Sequence, residues 1–131
     1  MIVDSSALLA ILLNEPDASV FAATIAASKL ARMPAPNWLE VALVIEGRAD
    51  DVLRERFDSV ARDIDLVIAG FLPDHAAMAR RAWRQFGRGR HPARLNYGDC
   101  MAYGFAKVEG EPLLFKGKDF PLTDIEPALK G

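Results

Sequence analysis

Along this chain, short apolar runs alternate with longer stretches in which apolar residues recur at helical spacing. Met1-Ile2-Val3 carries two β-branched residues and predicts a strand, and Asp4-Ser5-Ser6 supplies side chains able to cap the helix suggested by Ala7 to Leu13. A turn at Asn14 to Asp17 leads into Ala18 to Lys29, an Ala-rich stretch without Pro or Gly that predicts a second helix. Met33 to Ala35 reads as a brief strand. Beyond Pro36-Asn37, apolar residues at Trp38, Val41, Ala42 and Ile45 fall at i, i+3, i+4, i+7, which marks one buried face of a helix ending near Gly47.

Asp50 to Asp63 reads as a further, more charged helix, and Leu66-Val67-Ile68 as a compact, buried strand suited to parallel pairing. Pro73 opens a helix with Ala79, Ala82, Trp83 and Phe86 on one face, ended by Gly87 and Gly89. Gly87 to Leu95 reads as a mobile, basic loop. Asn96 and Asp99 form a capping box at the start of a helix that runs to about Glu109 and is closed by Gly110. Leu113-Leu114-Phe115 predicts another strand, and the chain from Lys116 a loop with one short edge strand around Leu122 to Ile125. Strands alternating with helices imply an α/β fold: a three-layer sandwich with a central parallel sheet of four to five short strands flanked by helices.

Composition narrows the class. A length of 131 residues suits one domain spanning residues 1–131, and 51% hydrophobic with 26% charged residues is ordinary for a globular chain. Ala7 to Leu13 is far too short to span a membrane and lacks a preceding Lys or Arg, so neither an anchor nor a signal peptide is expected. One cysteine, Cys100, excludes an internal disulfide, and two histidines provide no Cys/His zinc cluster, which fits a reducing cytoplasm.

Charge is unevenly distributed. Arg80, Arg81, Arg84, Arg88, Arg90 and Arg94 lie between Asp74 and Asp99 with no acid among them, leaving ten Lys/Arg against eighteen Asp/Glu elsewhere. The acidic remainder suits a cation and the basic segment an anion. In parallel α/β sheets, ligands bind outside the carboxyl ends of strands, where Asp4 and Asp119 are expected, while Glu40 and Asp99 open helices that could face the same edge. Hard carboxylate oxygens suit Mg²⁺. Each acid also has a structural reading: Asp4 as a helix cap, Glu40 as the partner of Asn37 in a box, Asp99 as a helix N-terminal charge and Asp119 as a turn residue.

Four segments carry a family resemblance. Ile2-Val3-Asp4-Ser5-Ser6-Ala7-Leu8 resembles the opening motif of VapC-type PIN-domain toxins, and Glu40 lies where their second acid lies, on a helix following a proline. Leu95-Asn96-Tyr97-Gly98-Asp99-Cys100 resembles the third motif, and Leu114-Phe115-Lys116-Gly117-Lys118-Asp119-Phe120 with Thr123-Asp124-Ile125 the fourth. The resemblance implies a Mg²⁺- or Mn²⁺-dependent endoribonuclease, the toxin of a bacterial toxin-antitoxin pair, which hydrolyses RNA with a metal-activated water and leaves a 5′-phosphate and a 3′-hydroxyl. It further implies Asp4 and Asp99 as principal metal ligands, Glu40 and Asp119 completing the acidic pocket directly or through water, and polar support from Ser6 and Asn96. Lys118 departs from the family pattern and sets a cation beside Asp119.

Partners follow from the same resemblance: a small cognate antitoxin that alone contacts operator DNA, and a second copy of the chain in a homodimer through apolar helix faces. Arg84, Arg88, Arg90 and Arg94 are candidates for tracking the RNA backbone, against the plainer reading of a solvated helix face. His91 is a lesser candidate for touching substrate. Cys100 is read as a small buried hydrophobe, and Trp38, Trp83 and Phe86 as core or dimer contacts and not as platforms for base stacking. Two alternatives remain: a non-catalytic PIN-like protein that binds RNA or a partner, favoured by Lys118, and a phosphatase, which the serine at position 6 disfavours because an Asp-x-Asp signature needs an acid there.

Overall fold

The computed structural model describes residues 1–130. Its elements run β1 (Ile2–Val3), α1 (Ser5–Leu12), α2 (Ala18–Ala27), β2 (Ala31–Pro34), α3 (Ala35–Gly47), α4 (Asp51–Asp63), β3 (Leu66–Ala69), α5 (Pro73–Phe86), α6 (Tyr97–Glu109) and β4 (Leu113–Leu114). All strand pairs are parallel and the order is β3-β2-β1-β4, so the first strand lies in the middle and the last beside it. This is the expected three-layer α/β sandwich.

The pleat decides which helix covers which face. In β1 and β4, Val3 and Leu114 point into a core built with α1 to α4, whereas Ile2 and Leu113 point the opposite way, into a core built with α5 and α6. All four are buried. A two-residue strand therefore serves both layers, which explains why Met1-Ile2-Val3 is apolar without alternation.

Helix boundaries follow local chemistry. Asp4 caps α1, Asp50 caps α4, and Asn96 with Asp99 forms the expected capping box of α6; Gly110 then ends that helix in the left-handed region at φ 67°. Asn37 forms no box with Glu40, because α3 begins at Ala35 and carries Asn37 inside its first turn.

Three expectations are corrected. β3 lies at the sheet edge, so the run read as a buried strand leaves Val67 46% and Ile68 37% exposed. The edge strand expected around Leu122 to Ile125 is absent: Phe120–Leu122 forms a 3₁₀ turn, and the edge is met slightly later, where Leu113 bridges Pro127. The 87–95 segment, read as a mobile loop, is closed on itself, with Arg88 N–H donating to Leu95 O at 3.0 Å, Leu95 N–H donating to Phe86 O at 3.0 Å, and Ala93 and Leu95 fully buried. Among the described residues, no helix is long and apolar enough to cross a membrane.

α5 and α6 form the tightest helix pair. A Cβ at Gly104 would lie 2.7 Å from Ala79 N and 2.8 Å from His75 O, so only glycine allows the two backbones this approach. Below them, Arg32 donates to Glu109 at 2.8 Å and bonds Glu111, while His75, with Nδ1 accepting from Leu72 N–H, turns Nε2–H toward Glu109 at 3.0 Å.

Gly104→Ala is accordingly expected to destabilise the protein by about 1–3 kcal/mol through overpacking. Gly47→Ala, whose Cβ would meet nothing within 4 Å, should be neutral or stabilising by a few tenths of a kcal/mol. Urea unfolding of the two variants checks the contrast; equal midpoints would reject it.

Candidate active site

The site begins where β1 stops. Asp4 is 3% exposed and caps α1 through one oxygen only: Oδ2 accepts from Ser6 N–H at 3.0 Å and from Ser6 Oγ–H at 2.6 Å. Ser6 Oγ in turn accepts from Lys116 N–H at 2.9 Å, just beyond β4. The end of the last strand thus fixes the hydroxyl that orients the first acid. Lys116 also reaches outward, its Nζ bonding Glu15 and Asp17 in the turn between α1 and α2.

Asp99 is held by a different device with the same result. Its backbone N–H donates to Asn96 Oδ1 at 2.8 Å, while its Oδ2 accepts from Asn96 N–H at 3.0 Å. Oδ1 of each aspartate accepts no hydrogen bond from the described residues. Both acids are thus gripped by one oxygen and present the other.

Glu40 reaches the same place from α3. Its carboxylate rests on Gly98, where an added Cβ would stand 2.4 Å from Oε2 and 2.8 Å from Oε1. The glycine before Asp99 therefore gives Glu40 room beside α6. A residue that sequence reasoning treated only as a box partner organises this junction: Asn37 is fully buried, its Nδ2–H donates to Gly98 O at 3.0 Å and to Ser5 Oγ at 3.3 Å, and its backbone O accepts from Ser5 Oγ–H at 3.2 Å. It ties the starts of α1, α3 and α6 together. A polar residue three positions before Glu40 was the available signal, and its burial could not be read from spacing.

Electrostatics show which acids are neighbours. Burial pushes the Asp4 carboxyl up to about 7, and the negative charges of Asp99 and Glu40 push in the same direction against the two Ser6 hydrogen bonds. Asp99 is likewise raised, first by burial, then by Asp119 and Glu40, with Arg88 acting oppositely. Asp4, Glu40 and Asp99 therefore lie within electrostatic reach of one another, Asp119 lies within reach of Asp99, and none of the four forms an ion pair among the described residues. Asp119 is exposed just before the 3₁₀ turn, and Lys118 beside it forms no ion pair with it.

The donor set is chemically right for a hard divalent ion. No three His, Cys, Asp or Glu side chains among the described residues are grouped tightly enough to hold an ion by themselves. One or two carboxylates, with water completing the shell, can suffice for Mg²⁺. The free oxygens of Asp4 and Asp99 could serve as direct donors in such a shell.

Of the basic candidates, Arg88 is the one whose charge is resolved at an acid. Arg84, Arg90 and Arg94 are exposed on α5 and the loop after it, without ion pairs among the described residues. His91 Nδ1 accepts from Ala93 N–H at 3.0 Å and braces that loop. Cys100 is buried and Phe86 belongs to the core; Trp38 packs on Phe57 at 5.3 Å. Trp83 is not a core residue: it is 39% exposed.

Comparison with known proteins identifies the family. A family model described as PIN domain matches residues 1–126. The chain is 46% identical to Ribonuclease VapC30 of Mycobacterium tuberculosis (strain ATCC 25618 / H37Rv), over 95% of each chain. It is 43% identical to Ribonuclease VapC of Mycolicibacterium smegmatis, over 95% of this chain and 97% of the relative. The crystal structure of M. tuberculosis VapC20, a sarcin-ricin loop cleaving toxin, shares the fold with a TM-score of 0.69 at 14% identity, over 96% of this chain and 98% of that one.

The Asp4 shift has a consequence for stability. A carboxyl whose folded pKa lies above its unfolded value keeps its proton longer in the folded state, so stability falls as pH rises from about 4 to about 7 and stays low above that. Asp4→Asn retains a good cap without the charge. It is expected to raise the melting temperature of metal-free protein above pH 7, by an amount equivalent to at most about 4 kcal/mol, with the gain vanishing near pH 4. Thermal unfolding across pH measures this; an equal gain at pH 4 would show that charge is not the cause.

Proposed function

Since this chain belongs to the PIN-domain family of VapC-like ribonucleases, we propose that it is an endoribonuclease toxin that hydrolyses RNA phosphodiester bonds with Mg²⁺ or Mn²⁺ held by Asp4 and Asp99. The observation that carries the reading is the buried Asp4 carboxyl, pushed up to about 7 in the company of Asp99 and Glu40, with no ion-pairing cation of the protein against it. Such a group calls for a positive charge from outside.

When bound, the divalent ion supplies positive charge beside the scissile phosphate and lowers the pKa of water. The chain's own groups do the positioning. Ser6, locked by Lys116 N–H, fixes one oxygen of Asp4, and the capping box with Asn96 fixes one oxygen of Asp99. Glu40, seated against Gly98, and Asp119 complete the acidic pocket and orient water through their carboxylate oxygens. With water as nucleophile, no histidine pair is required. His75 Nδ1 already accepts from a backbone amide, with its other nitrogen on Glu109.

A reading as a non-catalytic binding protein drew on Lys118, and no ion pair of Lys118 with Asp119 supports it. The partners in this proposal are RNA, a small antitoxin that carries any contact with operator DNA, and a second copy of the chain docking through apolar helix surface such as Leu39 and Leu43 on α3. The cytoplasm is the proposed location.

Mg²⁺ or Mn²⁺ is expected to raise the melting temperature of the wild type, and more weakly that of Asp4→Asn. Cleavage of RNA by Asp4→Asn and by Asp99→Asn should fall by more than the roughly 10–100-fold typical of losing an outer-shell partner, with circular dichroism unchanged. Full activity in either variant rejects that residue's role, and RNA cleavage that persists in EDTA rejects the metal.

A further inference from the structure

An open groove of about 530 Å³ runs between α5 and the first turn of α6, one side of it formed by Trp83 and Arg80 and the other by Asn96 and Tyr97, with Arg88 and Met101 also lining it. Two features make it unlike ordinary packing surface. Tyr97 is 79% exposed and Trp83 39% exposed, so two large rings border the groove with much of their surface free. Arg80 and Arg88 are both exposed and neither forms an ion pair among the described residues. An apolar trough with aromatic sides and uncompensated guanidinium groups at its rim complements a ligand with a flat π face and a negative backbone.

Its position adds the rest. Tyr97 lies two residues before Asp99 on the same helix turn, Asn96 caps that turn, and Arg88 both lines the groove and exerts its charge on Asp99. A strand with a phosphate at the acidic pocket would thus have a neighbouring base at the groove. The free donors there are the guanidinium groups and the Asn96 amide NH₂, which has no partner among the described residues. Bases that carry carbonyl oxygens, guanine, uracil and cytosine, match such donors better than adenine, which has none.

We propose that this groove is a nucleobase-binding subsite, in which an unstacked base of single-stranded RNA next to the scissile phosphate lies between Trp83 and Tyr97 under Arg88. The inference rests on the ribonuclease reading for the position of the phosphate, though binding in the groove is measurable without cleavage. It assigns Tyr97 and Trp83 to substrate choice, since aromatic stacking on unpaired bases is sequence-tolerant and rim donors add the preference.

The test uses oligouridine and oligoadenine decamers with the full chain carrying Asp4→Asn, so that binding is read without cutting. Oligouridine should quench tryptophan emission. The quench should disappear in Trp83→Phe, which leaves only Trp38, and affinity should fall roughly tenfold in Tyr97→Ala and return in Tyr97→Phe. Sequencing of fragment ends from the Asp4 form should show a base preference beside the cut that Tyr97→Ala relaxes. If oligouridine quenches Trp83 but no RNA is cut, the base subsite stands and the ribonuclease reading fails. If RNA is cut while Trp83 emission ignores both decamers and Tyr97→Ala keeps the wild-type preference, the subsite is wrong. Tyr97→Ala altering only the sedimentation of the protein overturns it too, and makes the groove a protein interface.

Discussion

Repulsion among carboxylates is the constraint around which this molecule is arranged. Asp4, Glu40 and Asp99, from distant parts of the sequence, stand within reach of each other's charge, Asp119 acts on Asp99, and Asp4 is buried. Left free, such side chains would turn outward to water. They do not, because Asp4 and Asp99 are each bound to the amide groups of a helix start, where unsatisfied N–H donors and the helix dipole favour negative charge. The helix termini hold the acids in place, and burial, with the neighbouring carboxylates adding to it, pushes the Asp4 carboxyl up to about 7.

Packing then sets how far that tension can relax. Asn37 fastens three helix starts with one buried amide, so α1, α3 and α6 cannot drift apart independently. Gly98 lets Glu40 lie against α6, and Gly104, further along the same helix, lets α5 press close enough to seat Trp83 and Arg80 over its first turn. Two glycines on one helix, facing different neighbours, thus connect the acidic pocket to the groove beside it.

Much of this was legible in the sequence because the same residues serve local structure and chemistry. Asp4, Asn96 and Asp99 announce helix starts by composition, and those starts are where the acids are needed. The alternation of elements was likewise readable, since each helix carries a periodic apolar face. What could not be read depends on lateral neighbours. Leu66-Val67-Ile68 has the composition of an enclosed strand, yet β3 has a partner on one side only, and strand order is not a local property. Trp83 falls on an apolar helical face yet keeps 39% of its surface exposed, because it borders a groove and is not enclosed by packing. The last segment meets the sheet at Pro127, a residue without an N–H that propensity places outside strands. The mutual proximity of the acids was inferred from motif order, whereas the oxygen left free on each aspartate required coordinates.

The strand order β3-β2-β1-β4 pairs β1 with β4, two strands far apart along the chain. The bond from Lys116 N–H to Ser6 Oγ joins residues separated by 110 positions, and Asp119 lies further on still. A ribosome that has made the chain through α6 has produced Asp4, Glu40 and Asp99 but not the strand that steadies the first of them. A chain that stops at α6 therefore has no finished acidic pocket, because the pocket closes only when two of the segments farthest apart in sequence have met.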